Sequence, residues 1–156
     1  MNAYIENLTG KAIAFYLGTN EYLISVDNVI AIERMNHITR IPNIESYIKG
    51  VINLRGIIIP IIDLKERFGL GSYQETEQTR VIIVTYDQIE VGFIVDAAND
   101  VLNIDPDNIS EHPEIVGEVA PEFIDGIMKL EQRLLILLNL SKVLQMDEGE
   151  RIDYED

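Results

Sequence analysis

The chain has 156 residues, 47% of them apolar, with 27 acidic against 12 basic side chains and a formal net charge of -15. That length suits one ordinary domain, or two small modules sharing a core, and the acidity argues against nucleic acid or an anionic membrane as partner, because clustered Lys and Arg recognise both. There is no cysteine, hence no disulfide, thiolate zinc site or cysteine nucleophile; with no basic-then-apolar leader and no apolar run near the ~20 residues that cross a bilayer, the expectation is a soluble cytoplasmic protein without direct membrane insertion.

In chain order, the sequence is a succession of short β-branched runs separated by turn residues, which predicts an all-β fold. "KAIAFYLG" and "EYLISVD" come first, "KGVINLRGIIIPIIDL" follows at 49–64, and "RVIIVTYD" and "EVGFIVD" form a further pair from Arg80 to Asp96. Helical patterning is confined to short pieces: "NIESYIKG" with Asn43 as N-cap, "DLKERFG" ending in Gly69, "PEFIDG" with Pro121 in its first turn, and "LSKVLQM". The last stretch, 147–156, is acidic and almost without apolar content, and reads as a solvated, disordered tail.

The chain is written twice. At an offset of 69, "KAIAFYLGTNEYLISVD" lies over "RVIIVTYDQIEVGFIVD"; at 76, "YIKGVINLRGIIIPIIDL" lies over "FIDGIMKLEQRLLILLNL". The repeat units span about 11–70 and 80–146. The reading is a single domain over 1–146 made of two intertwined modules, each too small to hold a generous core alone. Closing each into a barrel would also remove most free strand edges.

The second copy serves as a control for the first. Gly50 matches Gly126 and Leu54 matches Leu130, which marks them as scaffold, whereas Asn53, Arg55, Gly56 and Pro60 face Lys129, Glu131, Gln132 and Ile136. Strand parity places Ile52 and Leu54 on one face and Val51, Asn53 and Arg55 on the other, so Arg55 is expected to point away from its module's core. An ordinary ion pair with Glu33 or Glu131 is the alternative for that arginine. Pro60, if in a strand, belongs at an edge or bulge.

Catalytic chemistry is hard to find. Ser25, Ser46, Ser72, Ser110 and Ser141 lie in no Gly-x-Ser-x-Gly elbow, and only His37 and His112 offer an imidazole. Two distant histidines make no metal site, and "DPDNISEH" has Ser110 and Val116 where a calcium loop needs glycine and glutamate. No glycine-rich phosphate cradle is present. The expectation is a protein without catalysis, metal or cofactor.

"ITRIPNIESYIKGVINLRGIIIPIIDLKERFGL" (38–70), with "VGFIVDAANDVLNI" and "FIDGIMKLEQRLLILLNLSKVL", resembles the CheW family of bacterial chemotaxis coupling proteins over nearly the whole chain. The resemblance implies two pseudo-symmetric five-stranded SH3-like barrels packed together, with short helices. It implies an adaptor linking the cytoplasmic tips of chemoreceptors to the regulatory domain of the histidine kinase CheA, recruited to receptor arrays at the inner face of the membrane. By position, the receptor-binding groove would include Val29, Gly50, Arg55, Arg80 and Val101. The kinase-binding edges would fall at Ile38, Thr39 and Arg40, and at Ser110 and Ile115. Relatives often keep a glutamate near the arginine of this motif, and here its place is Ala31. The alternatives are a two-barrel module binding a small ligand between its halves, and the coupling part of a CheV-like protein with a receiver domain.

Overall fold

In the computed structural model, which describes residues 10–42, 44–111 and 119–145, four hairpins turn on two residues each. They join β1 (Lys11–Leu17) to β2 (Asn20–Ser25), β4 (Ile48–Leu54) to β5 (Ile57–Asp63), β6 (Arg80–Tyr86) to β7 (Ile89–Val95), and β10 (Ile124–Leu130) to β11 (Arg133–Leu138). Left-handed φ at Arg55 and Gly56, and at Asp87 and Gln88, gives the backbone twist that tight hairpins need. The strands β3 (Val29–Arg34), β8 (Ala97–Asn103) and β9 (Ile109–Ser110) complete the set.

Two one-turn helices follow the second and fourth hairpins: α1 (Leu64–Arg67) and α2 (Leu140–Val143). Asp63 caps α1 by accepting from the Lys65 and Glu66 N–H groups, and Asn139 caps α2 by accepting from Lys142. "PEFIDG" supplies only a single 3-10 turn, Pro121–Phe123, before the chain enters β10. "NIESYIKG" differs from the helical expectation: Asn43 lies outside the described residues, and 46–47 form a turn. The reason is competition for the backbone, since the Tyr47 carbonyl accepts from the Asp63 N–H and Ile48 already belongs to β4.

The strands form two sheets, ordered β8-β1-β2-β11-β10-β9 and β3-β6-β7-β5-β4. Their registers repeat. The parallel β2/β11 pair sets Leu23 opposite Leu137 and the parallel β5/β7 pair sets Gly92 opposite Ile61, the same pairing displaced by 69 and 76. Each sequence repeat therefore lends its first two strands to the sheet built by the other. Neither repeat closes a sheet by itself. Pro60 fits because Val51 exchanges both backbone hydrogen bonds with Thr39, so the Val51–Pro60 pair is not hydrogen-bonded, and the β7 ladder begins only at Ile61.

Burial divides the apolar side chains into three groups. One barrel interior holds Ile52, Ile59, Ile61, Val81, Ile83 and Ile94; the other holds Ala12, Ala14, Leu23, Met128, Leu135 and Leu137. The two reach the same filling by opposite choices of size. A Cβ on Gly92 would fall 2.7 Å from methyl groups of Ile61 and Val81, whereas the matching Leu23 lies among the small Ala12 and Ala14. The third and largest group lies between the sheets and includes Phe15, Tyr22, Ile82, Val84, Phe93 and Leu138. Each buried Val, Leu, Ile or Phe side chain there stabilises the fold by about 1.5–3 kcal/mol.

Aromatic rings thread this central core: Tyr22 stacks on Phe15 at 5.6 Å and on Phe68 at 6.0 Å, and Phe68 meets Phe123 at 5.1 Å. Arg67 then ties the two repeats together. Its guanidinium lies 4.8 Å from the ring centres of Tyr47 and Phe123, and donates to the carbonyls of Lys142, Val143 and Gln145. It thus satisfies the open end of α2 while covering apolar rings.

Candidate partner-binding surfaces

Residues opposite each other in an antiparallel ladder project to the same face, so the registers show which edge residues look into the space between the sheets. On β3, Val29 opposes Val84 and Ile32 opposes Ile82; on β8, Ala98 opposes Phe15 and Val101 opposes Ile13. Ile13, Phe15, Ile82 and Val84 belong to the central core, and Val29 and Ala98 pack against its margin. Ile32 and Val101 are 41% and 55% exposed, which leaves an apolar rim on both edges of the inter-barrel face. Arg80 shares the face of Ile82 and Val84 and donates to the carbonyls of Glu77 and Thr79 at 2.9 and 2.8 Å.

The fold thus gathers Val29, Arg80 and Val101 on one inter-barrel face. Ile32 joins them, although the motif-by-motif transfer passed over it. Its signal was present in the repeat, because an offset of 69 carries Ile32 onto Val101. Gly50 is buried elsewhere: its φ is 143°, and a Cβ there would fall on the Thr39 carbonyl oxygen and 2.8 Å from Ile38. Its role in the geometry is to let β4 pass close under the Ile38–Thr39 segment.

Arg55 is not a strand residue, which corrects the parity argument. It is the first turn residue of the β4–β5 hairpin, with φ 55°, and its exposure follows from the turn. Glu131, at the matching place, has φ 57°, so the left-handed backbone belongs to the scaffold and not to the arginine. Asn53 accepts from the Gly56 N–H at 2.9 Å and fixes the loop. Among the described residues Arg55 makes no ion pair, with Glu33, Glu131 or any other acid. Ala31 turns into its barrel and packs against the interior.

The β10–β11 hairpin is wired differently. Arg133 donates to both carboxylate oxygens of Glu21, at 3.0 and 2.7 Å, and lies 3.5 Å from Asp100. The hydrogen bond to Glu21 holds the Arg133 pKa above its ordinary value. Asp100 is the counterpart of Ala31, Glu21 of Glu90, and Arg133 of Ile57. Where Ala31 stands near the β4–β5 hairpin, its counterpart Asp100 belongs to a clamp at the β10–β11 hairpin.

The remaining sequence-predicted positions lie on the other sheet margins. Thr39 bridges to Val51, and Ser110 on β9 opposes Ile127, so the matching positions Val51 and Ile127 of β4 and β10 each carry an outer edge partner. Thr39, Arg40 and Ser110 are exposed, Ile38 is half-buried, and Ile115 lies outside the described residues. Ile38 and Arg40 border a cleft of about 500 Å³ whose walls also include Ile44, Lys49, Tyr73 and Glu75. At its foot Lys49 pairs with Glu66 at 2.9 Å, and the Ser72 hydroxyl donates to the same carboxylate at 2.7 Å. Partial desolvation pulls the Glu66 carboxyl upward, but hydrogen bonds from Lys49 and Ser72 outweigh it and leave its pKa below the usual value.

Among the described residues no group of three or more His, Asp or Glu could hold a metal ion, and no helix is long and apolar enough to cross a membrane. What the fold presents is exposed strand edges and hairpin tips on two packed sheets, the construction of a scaffold module. The CheW-like domain family matches residues 11–148. The chain is 44% identical over 140 residues to chemotaxis protein CheW of Bacillus subtilis, covering 90% of each, and 36% identical over 156 residues to that of Klebsiella aerogenes, covering 97% and 94%. The crystal structure of the scaffolding protein TtCheW from Thermoanaerobacter tengcongensis superposes with a TM-score of 0.81 at 33% identity, covering 94% of this chain and 95% of that one. This chain belongs to the CheW family of chemotaxis scaffold proteins, and its two sheets are those of paired SH3-like barrels.

Proposed function

We propose that the chain is a non-catalytic adaptor that holds a chemoreceptor tip and the regulatory domain of the histidine kinase CheA at the same time, at receptor arrays on the cytoplasmic side of the membrane. The observation that carries this reading is the separation of its exposed surfaces. The inter-barrel face, with Val29, Arg80 and Val101, offers an apolar rim for one helical partner, and Arg55 stands at a hairpin tip with its charge unmatched among the described residues. The margins at Ile38, Thr39 and Arg40, supported from beneath by Gly50, and at Ser110 with Ile115, would take the kinase. These margins are equivalent under the repeat, so one chain can bridge two neighbours of similar fold.

The physical mechanism follows. Desolvating apolar side chains of a helix against Ile32 and Val101 provides affinity at about 25 cal/mol per Å² before the costs of association. Coupling is then a difference in how the bound receptor favours one arrangement of the kinase contacts. The test is to mix the purified chain with a receptor-tip hairpin and the CheA regulatory domain and to follow co-elution. A ternary complex supports the adaptor, and failure to bind either partner overturns it.

A further inference from the structure

The β3/β6 ladder ends on two arginines. Arg34 and Arg80 stand directly opposite each other, and directly opposed like charges in an antiparallel pair are unfavourable. At the matching place in the other barrel Lys11 opposes Asn103, one charge where the first barrel has two. In a chain with 12 basic against 27 acidic side chains, the pair is a local concentration of positive charge. Arg80 is held by two backbone carbonyls, which fix its direction without neutralising it, and Arg34 is exposed. Among the described residues neither guanidinium has a carboxylate in ion-pair range.

Position gives the pair its meaning. Arg34 follows Ile32 by two residues on the same face, and Arg80 likewise precedes Ile82, so the two cations continue the apolar rim of the inter-barrel face. Two strand residues advance about 6.8 Å, close to one helical turn of 5.4 Å. A helix with an apolar residue over Ile32 would therefore bring a side chain three or four positions away over the arginines.

We propose that Arg34 and Arg80 form the anion-recognising end of the inter-barrel groove, taking an Asp or Glu side chain of the helical partner one turn beyond its apolar anchor. This rests on the reading that the groove receives a receptor helix, and it adds the chemistry and register of that partner. Guanidinium forks suit a carboxylate, and a partner acid removes the like-charge repulsion that the free chain carries.

The experiment titrates a soluble receptor-tip hairpin into the full chain at two salt concentrations, with thermal unfolding recorded in parallel. Arg34→Gln is expected to weaken binding about five- to tenfold at low salt, with the difference shrinking at high salt, and to leave the unfolding midpoint unchanged or raised. Arg34→Glu is expected to weaken binding further, and a Lys in place of the partner's acid to restore part of that loss. Val101→Asp separates the two readings. If the wild-type chain binds, Val101→Asp does not, and both Arg34 variants bind as wild type, the arginine pair is not the recognition element and the groove reading stands alone. If the wild-type chain fails to bind the hairpin, the groove reading falls and takes this proposal with it. A loss of binding matched by a lowered unfolding midpoint in Arg34→Gln also overturns it, because the pair would then be structural.

Discussion

The two hairpin tips, β4–β5 and β10–β11, come from the same repeated segment, share a left-handed first turn residue, and end in opposite electrostatic states. At the second tip Arg133 is clamped by Glu21 and Asp100; at the first, Ile57 stands where Arg133 would be, Ala31 where Asp100 would be, and Arg55 makes no ion pair among the described residues. A clamped guanidinium is a fold element with little left to offer a partner, since its donors are already committed. A guanidinium presented on a fixed turn keeps its donors for binding. The same scaffold thus holds a clamped guanidinium at one end and an exposed guanidinium with no ion pair among the described residues at the other.

The barrel interiors give the largest effects through which this comparison can be broken. Leu23→Ala should cost about 3 kcal/mol, because it empties the interior that Ala12 and Ala14 leave to one large side chain. Gly92→Ala, the same change in reverse sense at the matching place, should cost about 1–3 kcal/mol through the 2.7 Å approach to Ile61 and Val81. Urea unfolding of both variants reads this out, and a neutral Gly92→Ala would show that the two interiors are not complementary in size. Next in size is the clamp: Arg133→Met removes two charge-assisted hydrogen bonds from the buried Glu21, an expected loss of about 1–2 kcal/mol after allowing for the partial exposure of Arg133.

Arg55→Glu sharpens the contrast from the other side. Its unfolding free energy should stay within about 0.5 kcal/mol of wild type while binding to a receptor-tip hairpin weakens, and unchanged binding in that titration removes Arg55 from the proposed recognition surface. The smallest expected effect is in pH. Glu66 has a folded pKa below its unfolded value of 4.5, so its contribution is present above that pH and disappears as pH falls through the lowered folded value. Lys49→Met should flatten this acid-side slope by a few tenths of a kcal/mol, the scale of a partly exposed pair. Stability measured from pH 6 to pH 3 in both chains checks it.

Much of the fold was legible in the sequence because its signals are local. The β-branched runs and the short helical pieces "DLKERFG" and "LSKVLQM" each depend on a few neighbouring residues, and the repeat at 69 and 76 is a direct comparison of one part of the chain with another. The site was less legible where local rules competed. Parity treated Arg55 as a strand residue, although the Arg55–Gly56 pair is itself the turn. The piece around Tyr47 read as helical, although its carbonyl is taken by Asp63.

By itself the sequence determined an all-β chain written twice, with a net acidic charge, an arginine inside its most apolar stretch, and the family to which that motif belongs. Tertiary structure alone decided that the repeats exchange their first two strands, that Arg34 meets Arg80, and that Glu21 and Asp100 converge on Arg133 from 112 and 33 residues away. The physical reason is that turn and strand preferences act over a few residues, whereas pairing between distant strands is chosen by which packing buries three cores at once. Which arginine is clamped and which stands exposed is a consequence of that choice.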